Sequence, residues 1–269
     1  MSVGPFAIPT LIFNIIQAVR AREPSRPALV GVAGAQGSGK THWCSLLEAA
    51  NRPRFAHFSL DDVYLTKAER ERLAAKLHPL FAVRGPPGTH DLDLAYATIT
   101  ALEEAKPGVE TTLPRFDKAS DDRAPRDTWP VYTGWPEAIL FDGWCVGATH
   151  VEGAAEAPPL NALEAAQDAD GEWRRYVEGA LTTDYLSFFR GFDAIVYLRP
   201  PSWEVVRRWR GEQEEQLLGR ALSADENAKL DRFVMHYERL TRSMMAGHHM
   251  AKWIVHLDEA RNIVRIEER

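Results

Sequence analysis

Cysteine is scarce in this chain, which has only Cys44 and Cys145 among its 269 residues. Cys44 lies on a segment with a helical pattern, where a buried free thiol is the ordinary outcome. We therefore expect no disulfide and a reducing, cytoplasmic compartment. Positive charge is not in excess either, because the net charge is −6. That balance disfavours a nucleic-acid partner, which needs a basic face, but it permits local basic pockets for anionic ligands.

The sequence also has no apolar run long enough to span a membrane. Its most apolar early stretch, residues 6–19, is interrupted by Pro9 and by polar residues. Its basic residues follow the apolar part, which is the reverse of a signal peptide. The apolar residues recur at helical spacing, which predicts a helix that packs one face on the domain. We expect no membrane partner, and the sequence specifies no oligomeric state.

Short apolar runs are what the chain does have. They are continuous rather than alternating, as expected for strands buried on both faces. Five such runs can form strands, at residues 29–33, 55–60, 138–142, 194–198 and 253–257. Helical patterns separate them, which predicts a doubly wound α/β fold with a mainly parallel sheet of about five strands and flanking helices. We expect residues 1–269 to form a single domain that binds ligands at the carboxyl ends of its strands.

The first of these runs leads into a glycine-rich turn, GAQGSGKT, with the G-x-x-x-x-G-K-T pattern of a P-loop. In such a loop the backbone N–H groups converge on phosphate, and the following helix adds the positive end of its dipole. Lys40 would reach the β- and γ-phosphates, and the Thr41 hydroxyl would hold Mg²⁺. We therefore expect a site for ATP with Mg²⁺. The expected contacts are Gly34, Ala35, Gln36, Gly37, Ser38, Gly39, Lys40, Thr41 and His42.

Three carboxylates follow the ends of two other predicted strands. Asp61 and Asp62 end the second run, and Asp142 ends the third, at the position of a Walker B carboxylate. Carboxylates that emerge beside a phosphate site suit general-base work or metal binding, so we expect Thr41, Asp61 and Asp142 to be the Mg²⁺ ligands. The structural alternatives are that Asp62 caps the next turn and that Asp142 forms a turn with Gly143.

Cations that could act on a transferring phosphate occur in two groups. A loop in the middle of the chain carries Arg115, Lys118 and Arg123. The helix after the fourth strand carries Arg207 and Arg210 on one face. The structural alternative is a charged surface helix. The functional interpretation is an arginine-rich lid that closes over the phosphates.

Two stretches, residues 79–90 and 107–135, resist assignment to regular structure, and long loops in a compact domain tend to be functional or disordered. His90, flanked by Thr89 and Asp91 at the end of the first stretch, is the histidine that we expect near the substrate. A third stretch, residues 148–170, is rich in Ala, Glu and Pro, and we expect it to be a surface excursion.

Several strings form a set that extends over nearly the whole chain. They are GAQGSGKT, SLDDVYLT, RGPPGTHD, LPRFDK followed by DR, FDGWCVG, NALE, GEWR, WR with QE, and YERLT. Together they resemble the P-loop D-glycerate 3-kinase family, itself similar to uridine kinase, phosphoribulokinase and bacterial pantothenate kinase. The strings GxPGTHD and LPxFDK are far more specific for this resemblance than the P-loop alone.

The resemblance implies a lid at about residues 200–222 and a base, Asp61, that accepts the proton of the acceptor hydroxyl. Asp142 stands where these relatives usually have Glu, and its shorter side chain allows a water-bridged metal contact. The expected catalytic residues are Lys40, Asp61, Asp142, Arg207 and Arg210. The expected acceptor contacts are Asp62, Tyr64, Arg84, Thr89, His90, Asp91, Arg115, Lys118 and Arg123.

The expected function is transfer of the γ-phosphoryl of Mg-ATP to a small hydroxyl compound. D-glycerate is the preferred acceptor because its carboxylate needs cations, and the two loops expected to line the acceptor pocket carry Arg84, Arg115, Lys118 and Arg123. One alternative is a kinase for a nucleoside, pantothenate or another small alcohol. A second is a regulatory or assembly protein that hydrolyses ATP without an acceptor. The loops at residues 84–91 and 113–123 favour an acceptor pocket, since a pure switch does not need one.

Overall fold

A six-stranded sheet lies between two layers of helices in the computed structural model, which describes residues 7–269. The strands are β1 (Ala28–Gly34), β2 (Phe55–Ser59), β3 (Glu110–Thr112), β4 (Phe116–Asp117), β5 (Asp122–Arg123), β6 (Val131–Thr133), β7 (Ala138–Gly143), β8 (Ala194–Arg199), β9 (Trp253–Leu257) and β10 (Ile263–Glu268). The α-helices are α1 (Ala7–Arg22), α2 (Lys40–Ala50), α3 (Lys67–Lys76), α4 (Leu92–Glu103), α5 (Ala162–Gln167), α6 (Glu172–Thr182), α7 (Asp184–Arg190), α8 (Trp203–Leu218) and α9 (Ala224–Met245).

The strand order of the central sheet is β10-β9-β8-β1-β7-β2, and all neighbours from β9 to β2 are parallel. The predicted, mainly parallel sheet is confirmed. A sixth strand, β10, pairs antiparallel with β9 at the edge. The sequence did not predict this strand, because its arginine and glutamates leave no continuous apolar run. The order places the carboxyl ends of β1, β7 and β2 side by side, and the predicted chemistry follows these three ends.

Both faces of the sheet are buried. In β1, Leu29 and Ala33 contribute to the core on one face, while Val30 and Val32 contribute to the core on the other. The apolar stripe predicted near the N-terminus is the buried face of α1. Burial of each large aliphatic side chain contributes about 1.5–3 kcal/mol. The loops at the carboxyl edge of the sheet therefore rest on a rigid platform.

Two of the three irregular stretches contain more structure than expected. Residues 107–135 form two small two-stranded antiparallel sheets, β3 with β6 and, between them in the chain, the hairpin of β4 with β5. The prediction that residues 148–170 are a surface excursion is wrong for the second half, where Glu164 and Asp168 are fully buried and form ion pairs with Arg174. These carboxylates looked solvent-exposed because the partner arginine comes later in the chain. Among residues 7–269, no helix is both long and apolar enough to cross a bilayer.

Candidate active site

The phosphate-binding loop connects β1 to α2. Gly37 and Gly39 have φ angles of 76° and 89°, in the left-handed region that favours glycine. Gly39 is also the N-cap of α2, and its lack of a side chain leaves the first N–H groups of the helix available to an anion. The next residue, Lys40, is buried beside them, while His42 is exposed on α2. The loop and helix together have the geometry that favours binding of an anion, and the nucleotide contacts themselves stay a prediction.

Asp142, at the carboxyl end of β7, connects the loop to the rest of the site. Its side chain is fully buried, and its Oδ2 atom accepts a hydrogen bond of 2.7 Å from the Thr41 hydroxyl. Its Oδ1 atom lies 2.8 Å from Nε2 of His57, a residue of β2. Thr41 and Asp142 offer hard oxygen donors, which suit Mg²⁺. The sulfur of Cys44 is close to His57 and Asp142, and burial raises the pKa of this thiol.

Asp61 and Asp62 lie on the 3₁₀ turn Leu60–Val63 that follows β2. The Ser59 hydroxyl accepts a hydrogen bond from the Asp61 N–H, and the Asp62 carboxylate accepts one from the Ser59 N–H at 3.0 Å. The capping role of Asp62 is thus present. The turn separates the two carboxylates, since Asp61 contacts Lys118 and Asp62 contacts Arg115. These contacts lie in two different clefts.

The first cleft, which we call the phosphate cleft, has a volume of about 380 Å³ and includes the phosphate-binding loop. It is lined by Gln36, Gly37, Lys40, Thr41, Asp61, Tyr64, Arg84, Lys118, Trp144, Arg210, Gln213, Gln216, Leu217, Phe233 and Tyr237. Basic and aromatic side chains predominate in this set. The cleft can therefore accept an anionic molecule next to the position that the loop provides for phosphates.

Asp61 is the acidic side chain of the phosphate cleft. Its Oδ2 atom lies 2.7 Å from Nζ of Lys118, and its Oδ1 atom accepts a hydrogen bond of 2.9 Å from the Tyr64 hydroxyl. Burial acts to raise the pKa of Asp61, but the charges of Lys118 and Lys40 outweigh burial and hold this pKa well below its usual value. Asp61 is therefore ionised and can only accept hydrogen bonds.

A second cleft of about 720 Å³, which we call the edge cleft, extends along the edge strand β2. It is lined by Thr41, Ser45, Glu48, Ala49, Arg52, Pro53, His57, Phe58, Ser59, Asp62, Leu113, Pro114, Arg115, Pro130, Val131, Tyr132 and Thr133. An Arg115 nitrogen lies 3.4 Å from the Asp62 carboxylate. Burial raises the pKa of Asp62 to about 6. The structure therefore brings the predicted acceptor contacts Asp62 and Arg115 together, but in a different cleft from Asp61.

Thr89, Asp91 and Arg123, which were predicted as acceptor contacts, make protein contacts instead. The buried Thr89 hydroxyl donates to one backbone carbonyl of its own loop and accepts from one N–H group. Asp91 caps α4 and accepts a hydrogen bond of 2.9 Å from Arg123. Arg123 also donates to the Tyr64 carbonyl oxygen. The structure does not bring these three side chains to the lining of either cleft.

His90 supports the phosphate cleft from behind. Its ring stacks on Tyr64 with centroids 4.7 Å apart, and its Nδ1 atom lies 2.6 Å from the Tyr185 hydroxyl. Burial lowers the pKa of His90 to about 3, so the ring is neutral. The stacked ring holds Tyr64, which in turn contacts Asp61.

The predicted arginines divide between two environments. Arg84 and Arg210 line the phosphate cleft, where Arg84 pairs with Asp121 and Arg210 with Glu214. Arg207 instead donates to Asp231 of α9 at 2.6 Å. Helical spacing placed Arg207 and Arg210 on one face correctly, but α9 packs on part of that face. The structure therefore does not bring Arg207 to the phosphate cleft.

Several residues that line the clefts were not predicted from the sequence as site residues. Trp144 and Tyr237 line the phosphate cleft and donate hydrogen bonds to the backbone carbonyls of Gly85 and Arg84. Both lie inside strings of the family resemblance, FDGWCVG and YERLT, which was the available signal. His57 had no such signal, because only the pairing of β2 with β7 places it beside Asp142.

Comparisons with known proteins identify relatives that cover most of the chain. A protein of Schizosaccharomyces pombe, uncharacterized kinase mug58, is 30% identical over 231 residues, which are 79% of this chain and 79% of that protein. The chloroplastic D-glycerate 3-kinase of Arabidopsis thaliana is 31% identical over 231 residues, which are 78% of this chain but 46% of that protein. The solved D-glycerate 3-kinase of Cryptococcus neoformans has a TM-score of 0.78 at 23% identity over 98% of this chain and 99% of its own, a likeness of fold. No protein-family model matches the chain.

Proposed function

We propose that this chain, which belongs to the P-loop D-glycerate 3-kinase family and is an ATP-dependent phosphotransferase, phosphorylates D-glycerate to 3-phosphoglycerate. The observation that carries the proposal is the wall of the phosphate cleft, where Lys40 and Asp61 lie with Lys118 and Arg84. Glycerate has a carboxylate, two hydroxyls and almost no apolar surface, so its site must consist of charges and hydrogen bonds. Cations next to an ionised carboxylate meet both requirements.

Nucleotide binding would begin at the phosphate-binding loop. Its free N–H groups and Lys40 would neutralise the β- and γ-phosphates of ATP. Thr41 and Asp142 fit Mg²⁺, which when bound supplies further neutralisation of the charge on the phosphates. His57 would keep Asp142 oriented through its Oδ1 atom. These groups stabilise the charge of the transferring phosphoryl group, which is where most of the catalysis of such a reaction arises.

Asp61 would accept a hydrogen bond from the primary hydroxyl of the acceptor. Its lowered pKa makes it a weak base, so it would mainly orient the hydroxyl and receive the proton as the new P–O bond forms. Phosphoryl transfer passes through a loose transition state that demands little activation of the nucleophile. A weak, well-placed base is compatible with that chemistry.

Lys118 is our first choice for the cation that binds the acceptor carboxylate. Its ammonium group now pairs with Asp61, yet its side chain is 58% exposed on the β4–β5 hairpin and can be shared with an incoming anion. Arg84 and Arg210 border the same space. Arg115, the other predicted candidate, faces the edge cleft and would act only if that loop moves.

A second candidate acceptor is a nucleoside or another small alcohol with an apolar part. The aromatic side chains of Trp144, Phe233 and Tyr237 favour it, because they line the phosphate cleft together with the cations. Aromatic side chains can stack on a planar ring such as a nucleobase. Glycerate would leave these surfaces unused.

Acceptor-dependent ADP release by the purified protein with Mg-ATP tests the proposal. We expect D-glycerate to stimulate release far more than nucleosides or pantothenate, and phosphorus NMR to identify the product as 3-phosphoglycerate. The Lys40→Ala variant serves as the control for contaminating kinases. Equal release with and without D-glycerate would overturn the acceptor assignment. We also propose a cytoplasmic location, which two buried free thiols support.

A further inference from the structure

The phosphate-binding loop is held from outside by a residue far away in the chain. Arg261, in the turn between β9 and β10, donates a hydrogen bond of 2.7 Å from its Nε atom to the Gly37 carbonyl oxygen. Its Nη2 atom donates to Glu212 at 2.6 Å, and its guanidinium group lies 4.9 Å from the ring centre of Trp209. Three segments of the chain therefore meet at one guanidinium group: the loop, α8 and the last turn.

The packing at this contact leaves little freedom. A Cβ atom on Gly37 would lie 2.5 Å from Cβ of Trp209, so only glycine allows the loop to approach α8 this closely. Trp209 is fully buried and donates a hydrogen bond of 2.9 Å to the carbonyl oxygen of Glu259, in the same turn as Arg261. Trp209 thus fixes the turn that carries the arginine.

The backbone of the turn is itself constrained. Arg261 has a φ angle of 68°, which is uncommon for a residue with a side chain. Asp258 stabilises this conformation, since its carboxylate accepts from the N–H groups of Ala260 and Asn262 and its carbonyl accepts from the Arg261 N–H. The side chain of Arg261 is therefore aimed at the loop by a preformed turn rather than by the loop itself.

We propose that Arg261 is a positioning residue for the nucleotide, which acts by fixing the peptide group of Gly37. A peptide group is planar, so a fixed carbonyl oxygen also fixes the direction of the N–H group that follows it. Bonding of the Gly37 oxygen to a cation keeps this partial negative charge away from the phosphates. The Ser38 N–H of this peptide already donates to the Ala35 carbonyl oxygen at 3.1 Å, and Arg261 adds a charged contact on the opposite side of the same peptide. Without Arg261 the peptide would keep the uncharged hydrogen bond but rotate more freely, and it would have to be ordered again when ATP binds.

This inference rests on the nucleotide use in the proposed function, but not on the identity of the acceptor. It predicts a defect in ATP binding and leaves acceptor binding unchanged. Because the contact exists before ATP binds, its loss acts through the cost of ordering the loop, and we expect ATP binding to weaken by roughly 10-fold.

Equilibrium titration with a fluorescent ATP analogue tests the inference in Arg261→Ala and Arg261→Lys. We expect both variants to bind the analogue about 10-fold more weakly, because lysine keeps the charge but loses the planar fork. The KM for ATP should rise in parallel, while the KM for the acceptor stays at the wild-type value. The matched control is Arg208→Ala, since Arg208 also contacts Glu259 of the turn but does not contact the loop. We expect this control to bind like the wild type.

Three results would overturn the inference and leave the proposed function intact. Wild-type affinity in Arg261→Ala would show that the contact has no role in nucleotide binding. Wild-type affinity in Arg261→Lys alone would assign the effect to charge and not to positioning. An equal loss in Arg208→Ala would assign it to the stability of the turn. A wild-type protein that binds no nucleotide would overturn the proposed function as well, whereas failure with D-glycerate alone would leave the role of Arg261 intact.

Discussion

The phosphate cleft and the edge cleft share Thr41 and the same 3₁₀ turn, yet they differ in charge. The charged residues of the phosphate cleft are Lys40, Arg84, Lys118 and Arg210 against Asp61. Those of the edge cleft are Arg52 and Arg115 against Glu48 and Asp62. In the edge cleft, Arg52 already forms an ion pair with Glu48. In the phosphate cleft Arg84 and Arg210 are likewise paired, with Asp121 and Glu214. The positive charge left for an anionic ligand is therefore that of Lys40, and the edge cleft is balanced.

The difference shows how little the sequence position of a carboxylate determines its chemistry. Asp61 and Asp62 are neighbours on one turn, but the pKa of Asp61 is lowered by two lysines and the pKa of Asp62 is raised by burial. The lysines come from α2 and from the β4–β5 hairpin, which are far from this turn in the chain. If the reaction takes place in the phosphate cleft alone, each substitution there should impair catalysis or substrate binding more than the matching substitution in the edge cleft.

The largest contrast should come from the two aspartates. Asp61→Asn should lower turnover by about a thousandfold while ATP still binds, because the acceptor hydroxyl loses its ionised partner. Asp62→Asn should stay within a few-fold of the wild type. Steady-state rates and ATP binding of both variants check this prediction. If Asp62→Asn is the inactive variant, the catalytic assignment is wrong by one residue, and the acceptor hydroxyl binds in the edge cleft.

The second largest effect should come from Lys40→Ala, which should reduce turnover on the order of a hundredfold or more. The reason is that the developing phosphate charge loses its buried cation. Circular dichroism and thermal unfolding of the variant should stay close to those of the wild type. Near-normal turnover in the folded variant would contradict phosphate binding at the loop.

Removal of one cation from each cleft sharpens the comparison further. Lys118→Ala should raise the KM for the acceptor by roughly 10-fold, the value of one charge-assisted hydrogen bond, and leave the KM for ATP nearly unchanged. Arg115→Ala should change neither by more than a few-fold. Initial-rate measurements with each substrate varied in turn distinguish the two variants. A rise in the KM for ATP in Lys118→Ala would mean that Lys118 contacts phosphates instead.

The smallest effect concerns stability. The pKa of Asp62 is raised from 3.8 to about 6 in the folded state, so between these pH values the folded state binds more protons than the unfolded state. Stability therefore falls as the pH rises through this window, and the loss is complete above about pH 6. Asp62→Asn should raise the free energy of unfolding by about 1–3 kcal/mol at pH 7 and change it little at pH 4. Urea unfolding without nucleotide or Mg²⁺ at both pH values provides the measurement.

The sequence predicts those parts of the molecule that depend on local pattern. The strands around β1, the phosphate-binding loop and the helices α8 and α9 follow from apolar periodicity and glycine spacing. The strand β10 does not, because an edge strand with charged residues has no continuous apolar run. The carboxylates of α5 likewise looked exposed, since the arginines that bury them come later in the chain.

The division of the predicted site into two clefts could not be derived from the sequence. It depends on where the β4–β5 hairpin lies, because Arg115 directly precedes this hairpin, Lys118 lies in its turn, and the two contact different aspartates. Arg207 was assigned to the phosphates because its partners on α9 were unknown. Arg261 offered no motif at all, since its contact with Gly37 joins residues at opposite ends of the chain. The lid at residues 200–222 stays a prediction.

The buried position of Trp209 has a practical consequence for that prediction. It anchors the inner half of α8, whereas Leu217 near the outer end is 80% exposed at the mouth of the phosphate cleft. Any closure of the helix must therefore occur beyond the anchor. Both native thiols are buried, so a single Leu217→Cys variant could be labelled with a dye at one position. Its emission would then report, in real time, whether the outer end of α8 moves when substrates enter.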